Sequence, residues 1–161
     1  MHIKLFVTGG TFDKEYDELK EELVFRDTHV PDMFTKGRNK VNIDIRTLMM
    51  IDSLYMSQED RSLIAEQCMG AEVDHIIITH GTGTMVKTAK FLASTIKDKT
   101  IILTGAMRPF AFGSSDGLFN LGCALAFVQT LEPGVYIAMN GQYFQWSNVQ
   151  KNMKTGLFEE L

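Results

Sequence analysis

Two threonines in glycine-rich surroundings are the best candidates for chemistry in this sequence. Thr11 follows two glycines, and Thr82 stands between two more. A threonine hydroxyl becomes a nucleophile when a nearby base removes its proton. Two bases are candidates: Tyr16, five residues after Thr11, and Lys151, which reaches Thr82 only if the C-terminal segment folds back over it. A lysine in a desolvated site loses its charge more readily and can act as such a base.

The same turns lack the patterns that bind nucleotides or metals. Neither pair of glycines continues into Gly-x-Gly-x-x-Gly, and no Gly-Lys-Ser/Thr run occurs. The histidines lack the spacing of metal ligands, and His80 is predicted to be a hydrogen-bonding strut. We therefore predict neither metal nor cofactor. Taken alone, one such turn is also compatible with an ordinary strand-to-helix connection.

The charge of the chain restricts its partners. The 161 residues carry a formal net charge of −4, and the densest basic group, Lys36, Arg38 and Lys40, is typical of a solvated turn. Nucleic acids and anionic membranes need clustered basic residues. The composition therefore excludes these partners and favours a small-molecule substrate.

Four short runs are apolar at almost every position, which is typical of parallel strands buried on both faces. They are residues 3–7, 75–79, 100–103 and 135–139. Helical patterns lie between them, over residues 57–70, 84–97 and 115–131. This alternation predicts a three-layer, doubly wound, mostly parallel α/β fold, in which ligands bind beyond the carboxyl ends of the strands.

Other segments are less regular. Residues 13–22 are compatible with a helix start or a mobile loop, and the weak pattern of residues 140–161 suggests a short hairpin. We predict one domain over residues 1–161. Cys68 and Cys123 fall in apolar helical patterns, so both are expected to be buried free thiols in a reducing compartment. No apolar run approaches the roughly 20 residues of a membrane span, and the cytoplasm is the expected location.

Several segments together resemble the signature segments of the bacterial L-asparaginases, and they occur in the same order over essentially the whole chain. They are TGGT at 8–11, IDS with a methionine at 51–56, ITHGTxTM at 78–85, LTGAMRP at 103–109, DG with NL at 116–121, and MN at 139–140 with Lys151 twelve residues after Met139.

The resemblance implies a hydrolase that releases ammonia from a side-chain amide. It makes Thr11 the nucleophile, Tyr16 its activator on a flexible loop, and Thr82 and Lys151 a second threonine–lysine pair. Substrate contacts are implied for the Ser53 side chain, for the Ala106 carbonyl as a partner of the leaving amide, and for Gly10, Asp52, Gly81 and Gly83. An oxyanion site at the Thr82 N–H fits the expected strand-to-helix turn.

Two departures from the family pattern matter. Gly83 replaces the aspartate that holds the substrate ammonium in family members, unless another acid such as Asp13, Glu15 or Asp52 takes its place. The chain also resembles the short, single-domain members that lack the C-terminal domain, so we expect a homodimer or homotetramer.

Three hypotheses therefore remain for the function. The first is hydrolysis of L-asparagine to L-aspartate and ammonia. The second is an amidase whose substrate lacks a free α-amino group. The third is a catalytically inactive module that binds amides or amino acids.

Overall fold

A computed structural model describes residues 1–161 and shows an α/β fold of three layers. In chain order the elements are β1 His2–Gly9, β2 Lys14–Asp17, β3 Glu22–Phe25, α1 Val30–Lys36, β4 Asn42–Ile51, α2 Gln58–Met69, β5 His75–Thr79, α3 Met85–Thr95, β6 Thr100–Thr104, α4 Gly117–Val128, β7 Gly134–Met139, β8 Gln142–Gln145, β9 Gln150–Lys151 and β10 Phe158–Glu159.

The main sheet has six strands in the order β4-β1-β5-β6-β7-β8. The first five are parallel, and β8 pairs antiparallel with β7. Helices α2 and α3 cover one face, where Ile64 and Leu92 are fully buried, and α1 and α4 cover the other around Met33 and Leu121. The predicted doubly wound, mostly parallel fold is confirmed. None of the helices is long and apolar enough to cross a membrane.

The three predicted helices begin and end within three residues of their expected ends, and α2 has the predicted cap. Ser57 accepts a hydrogen bond from the backbone N–H of Asp60, whose carboxylate accepts one in return from the Ser57 N–H, and α2 ends before Gly70. Asn140 and Gly141, which both have a positive φ, form the turn that connects β7 to β8. The second short hairpin, β9 with β10, completes the C-terminal segment.

The sequence interpretation missed strand β4 and misread residues 13–22. Strand β4 lies at the sheet edge, so polar residues such as Asp44 and Arg46 interrupt its apolar pattern. Residues 13–22 are neither a helix start nor an irregular loop but most of the antiparallel hairpin β2–β3. Its turn is fixed by the Asp17 carboxylate, which accepts hydrogen bonds from the Leu19 and Lys20 N–H groups.

The two cysteines differ in burial. Cys68 is fully buried on the core-facing side of α2, and burial raises the pKa of its thiol to about 12. The prediction that Cys123 is buried too is wrong, because that residue lies at the edge of the sheet-facing side of α4 and is partly exposed. Both thiols are free.

Glycine allows the carboxyl ends of β1, β4 and β5 to come together. A Cβ atom added to Gly10, whose φ is +79°, would lie 2.5 Å from the backbone nitrogen and Cα of Gly81. A Cβ on Gly81 would lie 2.6 Å from the Ser53 Oγ atom, just after β4. The Thr8 hydroxyl also bridges β1 to β5 by donating to the Thr79 carbonyl at 2.7 Å. These contacts leave no space for side chains at the two glycines.

The close approach at Gly10 predicts a large cost for a single methyl group. We expect Gly10→Ala to lower the free energy of unfolding by about 2 kcal/mol or more, because it combines a positive φ with a backbone clash. Gly122→Ala is the matched control: it lies in α4 with no atom within 4 Å of the added Cβ, and should stabilise the protein by about 0.5–1 kcal/mol. Urea unfolding measures both changes, and equal midpoints for the two variants would contradict the packing argument.

Candidate active site

The site centres on Thr82, in the turn between β5 and α3. Its side chain is 8% exposed, and its Oγ1 atom accepts a hydrogen bond of 2.8 Å from the Lys151 Nζ atom. Lys151 reaches it because β9 pairs with β10, and the first residue of β10, Phe158, donates its N–H to the Asn140 side chain at the end of β7. The C-terminal segment therefore folds back over the carboxyl edge of the sheet, as a threonine–lysine pair requires.

Lys151 has no acidic partner: no carboxylate oxygen lies within 4.0 Å of its ammonium group. Desolvation lowers the pKa of Lys151. Gly83, beside Thr82, is where the family pattern has an aspartate, and an added Cβ there would lie 2.9 Å from the Leu54 Cδ2 atom. Leu54 is 69% exposed. The exposed side chain of Leu54 therefore lies over Gly83, the position at which the family pattern has an acid.

Ser53 lies next to Thr82 and is oriented by Thr84. The Thr84 N–H donates to the Ser53 Oγ atom at 3.2 Å, and the Thr84 hydroxyl donates to the Ser53 carbonyl at 2.9 Å. The Ser53 side chain is 1% exposed, and its own O–H donates to no protein acceptor. The backbone N–H groups of residues 81–83 also donate to no protein acceptor. These free donors are suited to an anion or a developing oxyanion.

His80 is a buried strut, as predicted. Its Nδ1 atom lies 2.7 Å from the Gly81 carbonyl, which can only accept, so Nδ1 carries the proton. Its Nε2 atom then accepts from the Thr88 hydroxyl at 2.8 Å. Burial, helped by the positive charge of Arg61, lowers the pKa of His80 to about 4. The imidazole is therefore neutral at physiological pH and holds the 80–84 turn against α3.

Thr11 begins a short 3-10 turn just after β1 and is half-buried. Its hydroxyl makes no hydrogen bond to another protein group, so it is free for chemistry. Tyr16 lies in β2, with its side chain 54% exposed, and makes no hydrogen bond to Thr11. The structure therefore brings Thr11 to the strand ends but leaves Tyr16 on the β2–β3 hairpin without a hydrogen bond to it.

The acids considered as substitutes for the missing aspartate are all engaged elsewhere. Asp13 is fully buried and accepts hydrogen bonds from Thr28 and from the His29 N–H. Asp52 accepts from Lys14 at 2.6 Å and from the Leu54 N–H, and the Lys14 hydrogen bond lowers the pKa of that carboxyl. Glu15 pairs with Arg26 at 3.2 Å. No group of three or more histidine, cysteine, aspartate or glutamate side chains is arranged to hold a metal ion.

Ala106 is 1% exposed and lies in the turn that follows β6. Hydrogen bonds with Asp116 and Asn120 hold this turn in place. The Asp116 carboxylate accepts hydrogen bonds from the N–H groups of Met107 and Arg108. The buried Asn120 amide donates to the Gly105 carbonyl and accepts from the Asn140 N–H, at 2.9 Å and 3.2 Å. Asp116 thus braces this turn, and the same network links it to the strand that precedes the Lys151 segment.

The sequence interpretation missed Arg61, which connects the start of α3 to the segment that follows Ser53. Its guanidinium is 2% exposed and donates to the hydroxyls of Thr84 and Thr88. A signal was available: residues 61, 64, 65 and 68 form the buried face of α2, so a charged residue occupies a core position.

Sequence similarity places this chain in a known family. The sequence model of the family described as "Asparaginase, N-terminal" matches residues 2–158. The chain belongs to this asparaginase family. The predicted resemblance is therefore confirmed.

Individual relatives agree with this assignment. The chain is 29% identical to the L-asparaginase of Thermococcus kodakarensis over 162 residues, which cover 98% of this chain and 49% of the relative. It is 36% identical to L-asparaginase 2 of Escherichia coli over 124 residues, or 74% of this chain and 34% of the relative. This asparaginase-family chain thus spans about half the length of the Thermococcus protein.

Solved structures share the fold. The thermostable L-asparaginase from Thermococcus kodakarensis superposes with a TM-score of 0.89 at 28% identity, over 100% of this chain and 51% of that one. A probable cytoplasmic L-asparaginase from Campylobacter jejuni gives a TM-score of 0.83 at 29% identity, over 99% of this chain and 52% of that one. The asparaginase-family chain therefore corresponds to about half of these longer chains.

The buried His80 predicts a specific loss of stability in acid. Its folded pKa, about 4, lies below the ordinary value of 6.5, so the unfolded chain takes up the proton first as the pH falls. The stabilisation is complete above pH 6.5 and is lost progressively towards pH 4, by about 3 kcal/mol in total.

Urea unfolding at a series of pH values measures this effect. His80→Gln, whose amide keeps a donor and an acceptor, should remove this part of the pH dependence while the contributions of the carboxylates persist. Identical pH profiles for the two proteins would show that His80 already titrates normally in the folded state.

Proposed function

We propose that this chain hydrolyses the side-chain amide of L-asparagine to L-aspartate and ammonia, with Thr11 as nucleophile. The observation that carries the proposal is the hydrogen bond of 2.8 Å between Lys151 and Thr82 at the carboxyl edge of the sheet. It joins residues 69 positions apart, and a lysine without an acidic partner in a desolvated position is suited to receive a proton. The asparaginases named above support amide hydrolysis as the reaction class.

In the proposed reaction the Thr11 Oγ atom attacks the amide carbon and gives up its proton, which passes to the leaving nitrogen as the C–N bond breaks. Ammonia leaves, and water then cleaves the acyl-threonine ester to release aspartate and restore the hydroxyl. Tyr16 and the Thr82–Lys151 pair are the two candidates for moving these protons. The Thr82 N–H, which has no protein acceptor, would stabilise the oxyanion.

The remaining predicted residues receive roles as substrate contacts. Ser53 would bind the α-carboxylate through its free O–H, and the Ala106 carbonyl would accept from the leaving amide. Gly10 and Gly81 would allow the substrate to approach the backbone. Asp52 would act through its ion pair with Lys14, which ties the hairpin to the Ser53 turn.

Location and assembly form part of the proposal. Two free cysteines support a reducing compartment, and we propose a cytoplasmic protein. Exposed apolar side chains near the site, including Tyr55, Met107 and Met153, support a homo-oligomer that covers its rim. A single domain over residues 1–161 completes the proposal.

Ammonia release from L-asparagine tests the reaction directly. We expect turnover by the wild-type chain and a loss of about 1,000-fold or more in kcat for Thr11→Ala, as for removal of other enzymic nucleophiles. Gly122→Ala serves as the folded control. Retention of full activity by Thr11→Ala would refute the nucleophile, and absence of turnover together with binding of asparagine would favour the inactive binding module.

A second candidate function, an amidase for substrates without a free α-amino group, is favoured by one observation. The Leu54 side chain lies against Gly83, where an acid would meet an ammonium group. Succinamic acid is asparagine without that group, so the two substrates compare the candidates directly.

Restoring the acid should change this preference. The tip of the exposed Leu54 side chain can move away from a new Cβ atom, so Gly83→Asp is sterically accessible. We expect it to raise kcat/KM for asparagine by about 10-fold to 100-fold, because a charge-assisted hydrogen bond is worth about 1.5–3 kcal/mol. Succinamic acid should show no gain. An unchanged preference would mean that the missing carboxylate does not limit turnover.

A further inference from the structure

Arg61 is a buried cation without a buried anion. Its side chain is 2% exposed, and no carboxylate lies within 4.0 Å of its guanidinium. The adjacent acid, Asp60, is bound by the N–H and hydroxyl of Ser57 in the helix cap. Burial of a charge is costly unless hydrogen bonds and an opposite charge compensate it. The protein supplies the hydrogen bonds, whereas the opposite charge comes only from Asp60, which lies beyond 4.0 Å and offsets in part the lowering of the Arg61 pKa by burial.

Those hydrogen bonds tie together the two segments that form the site. The guanidinium donates to the carbonyls of Met56 and Ser57, which follow the Ser53 turn, at 2.9 Å and 3.1 Å. It also donates to the hydroxyls of Thr84 and Thr88, at 2.9 Å and 3.0 Å. Because these bonds diverge from one planar group, Arg61 fixes the β4–α2 connection relative to the start of α3.

The hydrogen bonds that begin at Arg61 end at Ser53, and the hydroxyl proton of Ser53 is donated to no protein group. Arg61 donates to the Thr84 hydroxyl, so that hydroxyl is directed to donate to the Ser53 carbonyl. The Thr84 N–H occupies a lone pair of the Ser53 Oγ atom. The Ser53 hydroxyl is therefore a buried donor without a protein acceptor. It lies beside the N-terminus of α3, and Thr84 connects Ser53 to the Arg61 guanidinium through hydrogen bonds.

We propose that Arg61 is a positioning residue that aims the Ser53 hydroxyl at an ionised carboxylate and supplies the positive charge that this carboxylate neutralises. Arg61 thereby determines how strongly the site prefers a monoamide that carries a carboxylate, which Ser53 would bind, over a neutral amide of the same shape. This inference rests on the proposed amide hydrolysis and adds the group that selects for the acid. It applies equally to substrates with and without an α-amino group.

The test compares succinamic acid with its uncharged methyl ester in the wild-type protein and in Arg61→Met, which keeps most of the side-chain length. We expect kcat/KM of the wild type to favour the acid. Arg61→Met should lose about 10-fold to 100-fold for the acid, mainly through KM, and change little for the ester. A residue with a purely structural role would lower both substrates by the same factor, and that result would overturn the proposal.

Further variants keep the test independent of folding. If Arg61→Met does not fold, Thr84→Val removes the hydroxyl that relays Arg61 to Ser53 and should cause the same selective loss, whereas Thr84→Ser should restore the preference. Ile64→Ala, on the same buried face of α2, is the control for lost stability and should leave the acid-to-ester ratio unchanged. Equal ratios in Thr84→Val and the wild type would also overturn the proposal.

A binding measurement separates this inference from the proposed reaction. Succinate, which has no amide to hydrolyse, should bind the wild-type protein by calorimetry about 10-fold or more tightly than it binds Arg61→Met or Thr84→Val. If the wild type hydrolyses no amide but this difference is found, the reaction fails and the role of Arg61 stands. If asparagine is hydrolysed through Thr11 and succinate binds all three proteins equally, the reaction stands and the role of Arg61 fails.

Discussion

The close approach of Gly10 to Gly81, continued to Ser53, is the contact on which the site depends. Three parallel strands end at this point: the Gly10 backbone lies against the backbone of Gly81, and Gly81 in turn lies against the side chain of Ser53. Parallel strands place their carboxyl ends at one edge of the sheet, but only glycine lets the following turns touch. Thr11, Ser53 and Thr82 are neighbours because these turns are in contact.

The charged side chains around these turns are not balanced in sign. The site contains two cations, Arg61 and Lys151, and neither has a carboxylate partner. The nearby acids Asp13 and Asp52 are engaged by other groups of the protein. A partly desolvated region whose cations have no carboxylate within 4.0 Å favours anionic ligands and developing oxyanions. The glycine at position 83 increases this imbalance, because the family pattern has an acid there.

Two short β-hairpins depend on contacts that are distant in sequence. The β2–β3 hairpin is tied at its base by the buried Asp13, which binds Thr28 and the backbone of His29. The β9–β10 hairpin is tied to the end of β7 by Asn140. A two-stranded hairpin is marginally stable in isolation. Each of them therefore holds its position, and the side chains it carries, through a few buried polar contacts with the main domain.

Sequence alone determined the buried parallel strands, the capped helices and the family motifs, because each of these is written in local periodicity or in short runs of residues. It did not reveal the edge strand β4, whose polar residues obscure its pattern, or the role of Arg61, whose partners lie up to 27 positions away. The family resemblance implied that Lys151 meets Thr82, but only the tertiary structure shows this contact and the absence of an acid within 4.0 Å of the lysine. Both facts depend on how distant segments fold onto one sheet edge, and local periodicity carries no information about such contacts.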